Sequence, residues 1–196
     1  MRRNRNLLLG IILVALCLFG LSGSRDGEAA DSALGGKFSL TDHTGQRVTN
    51  ENYQGKWILA FFGFTYCPDI CPATLTTMSH VMEGLGADAG MVQPLFISVD
   101  PERDTPEVMA NFVSAFHPSI VGLTGTPDEI KTAAASFGAY YAKVEVEGAP
   151  DGYLMEHMSF MYLLRPDGVF ETVLLDNGNP ETLTAQLRKH LHGAAS

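Results

Sequence analysis

The sequence predicts an α/β protein, a three-layer sandwich on one mixed sheet with an N-terminal hairpin extension. Three observations carry this expectation. Trp57–Gly63 and Leu95–Val99 are continuous apolar runs of strand length, as buried parallel strands require. Each is followed by apolar residues at helical spacing, so strand and helix alternate early in the chain. Late in the chain, Phe160–Leu164 and Val169–Leu175 are joined through Pro166-Asp167-Gly168, a turn that implies an antiparallel edge.

The elements follow in order. Phe38–Val48 is patterned as a hairpin with Thr44-Gly45 at its turn. After the first buried strand, Leu75, Met78, Met82 and Leu85 recur on one helical face, giving a helix over about 72–85. After the second, Val108, Met109, Phe112, Val113 and Phe116 mark another helix, stopped near Pro118. Ile120–Leu123 is a short strand, and Ile130, Ala133, Ala134 and Phe137 line a third helix. Tyr141–Val146 alternates as a strand, and Leu183, Leu187 and Leu191 define the last helix. Three helices share one start signal. Thr105-Pro106, Thr126-Pro127 and Asn179-Pro180 each place a capping side chain before a proline at the first helical position.

The chain has 196 residues, 45% of them apolar, enough for one core and no more than one domain. The net charge is −9, and Lys and Arg cluster only in the first few residues. A nucleic-acid binder needs a basic face, so that class is excluded. Arg2, Arg3 and Arg5 precede the uncharged run Leu7–Leu21, and Ser22-Gly23-Ser24 follow. Residues 1–24 therefore read as a secretory signal or a membrane anchor, which predicts an exported protein. A span needs about 20 apolar residues, so the run is short for an anchor. Residues 25–36 read as a polar linker and 37–192 as the folded domain.

Cys17 falls in the targeting run, which leaves Cys67 and Cys71 in the folded part. A staple closing so small a loop restricts the unfolded chain little, so the pair points to chemistry. The segment lies between a buried strand and a helix, and two prolines compete to start that helix. A start at Pro68 would put Pro72 inside it at about 3 kcal/mol. The expected start therefore has Cys71 as N-cap and Pro72 as first helical residue, with Cys67 on the turn before. Both sulfurs then gather at a helix N-terminus, which favours thiolate over thiol. Two thiolates suit redox exchange, Cu(I) or Zn(II). A metal needs a third ligand, and His43, His80, His117, His157, His190 and His192 are the candidates. His80 is more than two turns down the helix. His43 lies in a turn, His117 at a helix end, and His190 and His192 in the last helix. His157 follows a Gly/Pro loop and begins an apolar strand, a position open to a ligand or to a histidine tied to a carbonyl. Met155, Met158 and Met161 flank it, as soft helpers or as packing.

Gly63-Phe64-Thr65-Tyr66-Cys67-Pro68-Asp69-Ile70-Cys71-Pro72 resembles the signature of the Sco/SenC copper proteins. The likeness continues at Asp100-Pro101-Glu102-Arg103-Asp104-Thr105-Pro106 and returns at His157 before Met161-Tyr162-Leu163-Leu164. With Gly55-Lys56 and the last helix start, it covers roughly residues 36–191. The resemblance implies a thioredoxin-like fold. It implies Cu(I) and Cu(II) binding by Cys67, Cys71 and His157, and delivery of copper to the Cu(A) site of cytochrome c oxidase or reduction of that site's thiols. An upstream copper donor is a further implied partner. The family usually has Asp-His-Ser around its histidine, and here the residues are Glu156-His157-Met158. Glu156 is placed to fix the ring nitrogen turned away from the metal, and Asp69 is an acidic neighbour inside the cysteine loop. For residues 100–106 two readings stand. Arg103 pairs with Asp100 or Asp104 to hold the loop, or the acidic loop faces the metal or a docking partner. Three alternatives to copper handling remain: a metal-free thiol–disulfide oxidoreductase on Cys67 and Cys71, a peroxidase suggested by Thr65-Tyr66-Cys67-Pro68, and a zinc site.

Overall fold

The structure, a computed structural model, describes residues 35–176 and 178–193. The targeting segment, with the membrane association expected of residues 7–21, lies outside the described residues, as does most of the linker. No helix among the described residues is long and apolar enough to cross a membrane.

The predicted hairpin is β1 (Ser39–Asp42) and β2 (Arg47–Thr49). At its turn Thr44 donates both its N–H and its hydroxyl to Asp42 Oδ1. The first apolar run is β3 (Trp57–Gly63), buried at every position. Helix α1 (Ile70–Leu85) follows, then β4 (Val92–Ser98), α2 (Pro106–Val113), β5 (Val121–Thr124) and α3 (Pro127–Phe137). Next come β6 (Tyr141–Glu145), β7 (Tyr153–His157), β8 (Phe160–Leu164), β9 (Phe170–Leu175) and α4 (Pro180–Gly193). The capping signals work as expected. Thr105 and Thr126 accept from Val108 N–H and Glu129 N–H, and Asn179 Oδ1 accepts from Thr182 N–H.

Seven strands form one sheet in the order β2-β1-β5-β4-β3-β8-β9. β3, β4 and β5 run parallel, and β1, β8 and β9 join antiparallel, giving the mixed sheet. Successive strand residues point to opposite faces. Phe61 stacks on Phe96, which meets Phe112 beyond it on α2. Phe62 instead packs edge-on against Phe137 of α3 and Tyr162 of β8. Helices thus cover both faces, and α4 lies against α1.

Two local expectations are corrected. Helix α1 begins at Ile70 with Asp69 as N-cap, so Cys71 is inside its first turn. Pro72 is tolerated there because the first helical N–H groups have no intrahelical partner to lose. Its ring would clash with the carbonyl four residues back, but that residue, Pro68, lies outside the helix. The first helical bond runs from Ala73 N–H to Asp69 O. The second correction is β7. His157 ends this strand and does not begin the next one. Among the described residues β7 pairs only with β6, as a two-stranded sheet apart from the main one.

Candidate metal centre

The cysteine loop leaves the sheet at Gly63, where β3 ends beside β4. Val99 donates to the Gly63 carbonyl at 2.8 Å. A side chain at Gly63 would put its Cβ 2.7 Å from Cys71 Sγ and 2.8 Å from a Phe96 ring carbon. Real Cβ atoms do not approach so closely, so the missing side chain is what seats the Cys71 sulfur on the core. Phe64 O accepts from Cys67 N–H at 3.3 Å to close the turn. Thr65, at the root of the loop, donates its hydroxyl at 2.5 Å and its N–H to the carboxylate of Asp104. Ser98 donates its hydroxyl to that carboxylate at 2.6 Å. Burial raises the Asp104 pKa, and the donors from Ser98 and Thr65 oppose the rise.

The two sulfurs differ in setting. Cys71 is fully buried, whereas Cys67 is partly exposed. Cys67 Sγ accepts from Cys71 N–H at 3.4 Å. The Cys71 thiol, the His157 ring and the Asp69 and Cys71 N–H groups stabilise its anion against partial burial and hold its pKa down to about 4. Cys71 is pushed up, first because its thiol serves the Cys67 sulfur and then because it is buried. One thiolate and one thiol share the loop.

His157 reaches this pair from β7. Period-two alternation turns Tyr153, Met155 and His157 inward while Glu156 is exposed. His157 Nε2 lies 3.5 Å from Cys71 Sγ. Its Nδ1 lies 3.2 Å from the carbonyl of Met158. A carbonyl only accepts, so this contact puts a ring hydrogen on Nδ1 and turns Nε2 toward the sulfurs. Phe61 and Phe64 stand edge-on to the imidazole at 5.9 and 5.8 Å between centroids. Cys67 Sγ, Cys71 Sγ and a His157 ring nitrogen all lie within 4.8 Å of one another. Among the described residues this is the one such gathering of three or more His, Cys, Asp or Glu side chains. Two soft sulfurs and one imidazole nitrogen form a donor set suited to copper or zinc.

Other expectations fall differently. The carbonyl of Met158, not Glu156, meets the second ring nitrogen. Asp69 is exposed at the helix start and its side chain makes no cap bond. Met155 and Met161 are core residues, and Met158 is 40% exposed. His43 accepts from Gly122 N–H, and His117 pairs with Ser119. His190 meets Glu171 and His192 meets Asp88. His80 is exposed on α1. Arg103 pairs with Asp100, one of the two partners expected. Sequence reasoning missed the seat at Gly63 and the aromatic walls from Phe61 and Phe64. Both arise from contacts across strands that no local pattern displays.

A mixed sheet sandwiched by helices, carrying two cysteines at one helix start, defines a thioredoxin-like protein with a candidate metal centre. A family model for SCO1/SenC matches residues 26–192, and the chain belongs to that family. A structure of Arabidopsis thaliana ScoI with copper bound is 42% identical, with a TM-score of 0.77 over 82% of this chain and 99% of that one. Bradyrhizobium japonicum ScoI with copper bound is 43% identical, with a TM-score of 0.73 over 80% and 99%. The mitochondrial SCO1 homolog of Homo sapiens is 40% identical over 87% of this chain and 57% of its own length. The chain spans about half to two thirds of the length of the first curated relatives it matches.

Proposed function

We propose that this protein is a copper metallochaperone that binds Cu(I) and Cu(II) through Cys67, Cys71 and His157. In this reading it delivers copper to the Cu(A) site of cytochrome c oxidase, or reduces that site's thiols, during assembly. The observation that carries it is the gathering of two sulfurs and one imidazole nitrogen within 4.8 Å. Copper-bound relatives at 42–43% identity support the choice of ion. Copper also stands above zinc in affinity for such donors. The basic and apolar N-terminus supports action across a membrane, on the periplasmic side in a bacterium, anchored or released.

The unequal sulfurs favour a second role on the same loop. The Cys67 thiolate attacks one sulfur of a target disulfide and releases the other as a thiolate. Cys71 passes its proton to that leaving thiolate and then attacks Cys67 Sγ in the mixed disulfide. The target leaves as one thiol and one thiolate and the Cys67–Cys71 pair as a disulfide, so two electrons and one proton have moved.

The test is titration of the reduced protein with Cu(I) and Cu(II), beside Cys67→Ser, Cys71→Ser and His157→Ala. One equivalent of copper is expected, with Cu(II) binding lost in His157→Ala. Equal Cu(II) affinity in His157→Ala would rule out the three-ligand site. A reduced parent that takes up no copper yet reduces a disulfide partner would leave the oxidoreductase role alone.

A further inference from the structure

The histidine arrives on a hairpin that, among the described residues, shares no strand pairing with the main sheet. Something else must set the gap between imidazole and sulfurs. We infer that Arg103 is the positioning residue that does so, an inference that rests on the three-ligand reading above. Its side chain is 8% exposed and lies between two tyrosines. The guanidinium carbon is 4.7 Å from the Tyr66 ring centroid and 3.8 Å from that of Tyr153. Tyr66 immediately precedes Cys67. Tyr153 opens the strand that His157 closes.

The polar contacts complete the clamp. Arg103 Nε donates to Asp100 Oδ2 at 2.5 Å, and Nη1 reaches the Tyr153 carbonyl at 3.4 Å. Tyr153 donates its hydroxyl to Asp100 Oδ1 at 2.9 Å. Asp100 is itself fixed, since its N–H donates to Ser98 Oγ at the end of β4. One guanidinium thus spans the end of the main sheet, the cysteine loop and the hairpin. Arginine suits the place because its plane can stack on rings while its edge donates to a carboxylate, and lysine cannot do both. β7 then acts as a short stiff arm of about 13 Å, held at Tyr153 and carrying the imidazole at its far end. The outer link, Lys143 to Glu102, is exposed and adds little.

The test uses the full chain with Arg103→Met, Arg103→Lys and Tyr153→Phe. In metal-free protein, NMR follows the His157 ring protons, which the Phe61 and Phe64 ring currents displace. In Arg103→Met they are expected to move toward free-histidine positions while the methyl resonances of Leu59 and Ile97 stay in place. Cu(II) affinity is expected to fall about 10–100-fold, the usual loss when a residue supporting a ligand is removed. Cu(I) affinity, held by two sulfurs, is expected to fall less, and Arg103→Lys to restore only part of the Cu(II) loss. Parent-like ring shifts and parent-like Cu(II) affinity in Arg103→Met would overturn the inference. Should that variant not fold, Tyr153→Phe decides, because it removes only the hydroxyl bond to Asp100. A smaller shift in the same direction supports the clamp, and no shift overturns it. If the parent shows no imidazole nitrogen bound to Cu(II), the three-ligand reading fails, and the metal-free ring shifts still judge the clamp.

Discussion

The cysteine half of the centre hangs from the core of the seven-stranded sheet, whereas the histidine half rides on a two-stranded hairpin outside it. Cys71 sits against Gly63, in the packed interior. His157 sits at the end of β7, whose strand partner among the described residues is β6. Interiors resist displacement because every methylene is already in contact. A hairpin alone is marginal and depends on what it leans against. The two halves should therefore fail in different ways: damage to the first unseats a sulfur and destabilises the fold, and damage to the second moves the imidazole and spares the fold.

The strongest contrast comes from the proposed ligands. Cys71→Ser is expected to abolish tight Cu(I) binding, while His157→Ala keeps Cu(I) and loses Cu(II), as competition with a chromogenic chelator will show. Next is the root of the cysteine loop. Thr65→Val removes the hydroxyl donated to the buried Asp104 carboxylate, and should cost about 1.5–3 kcal/mol in denaturant unfolding. Gly63→Ala forces a methyl into the Cys71 sulfur and the Phe96 ring, for about 1–3 kcal/mol of overpacking. It should also change the rate at which Cys67 is alkylated, since the loop must shift.

Asp104 offers a pH test of the same half. Its folded pKa is raised above the ordinary aspartate value of 3.8. The folded state therefore holds this proton more firmly than the unfolded chain. The stability contributed by this group is fully present below 3.8 and is lost as pH rises through the raised folded value. The stability difference, parent minus Asp104→Asn, should fall over that window and then level off. A flat difference would mean that the carboxyl keeps its ordinary affinity. The smallest effect belongs to the hairpin's outer surface. Glu102→Gln breaks the exposed pair with Lys143 and should cost less than about 1 kcal/mol.

The same division decided what could be read from the sequence. β3 and β4 were legible because strands buried on both faces leave unbroken apolar runs. The helices α2, α3 and α4 were legible because a capping side chain before proline is a local device. The cysteine loop was legible in its residues but not in its exact helical phase. Pro72 looked like a first helical residue, and it is accommodated two positions further in because its missing N–H has no helical partner there. β7 was not legible. Its inward set, Tyr153, Met155 and His157, follows a Gly/Pro loop and leaves too short an alternation to stand out. The resemblance supplied His157 where spacing could not. Arg103 was visible as a partner of Asp100, but its place between Tyr66 and Tyr153 depends on segments far apart in the chain.

The unequal exposure of the two sulfurs gives any exchange at this centre a direction. A visiting group can approach over Cys67, because the flank at Cys71 is closed by the protein itself. Under the proposed copper role, the outer sulfur is the first to yield its place, and the inner one is the tether that releases last. A cargo handed over in that sequence is never adrift between giver and receiver.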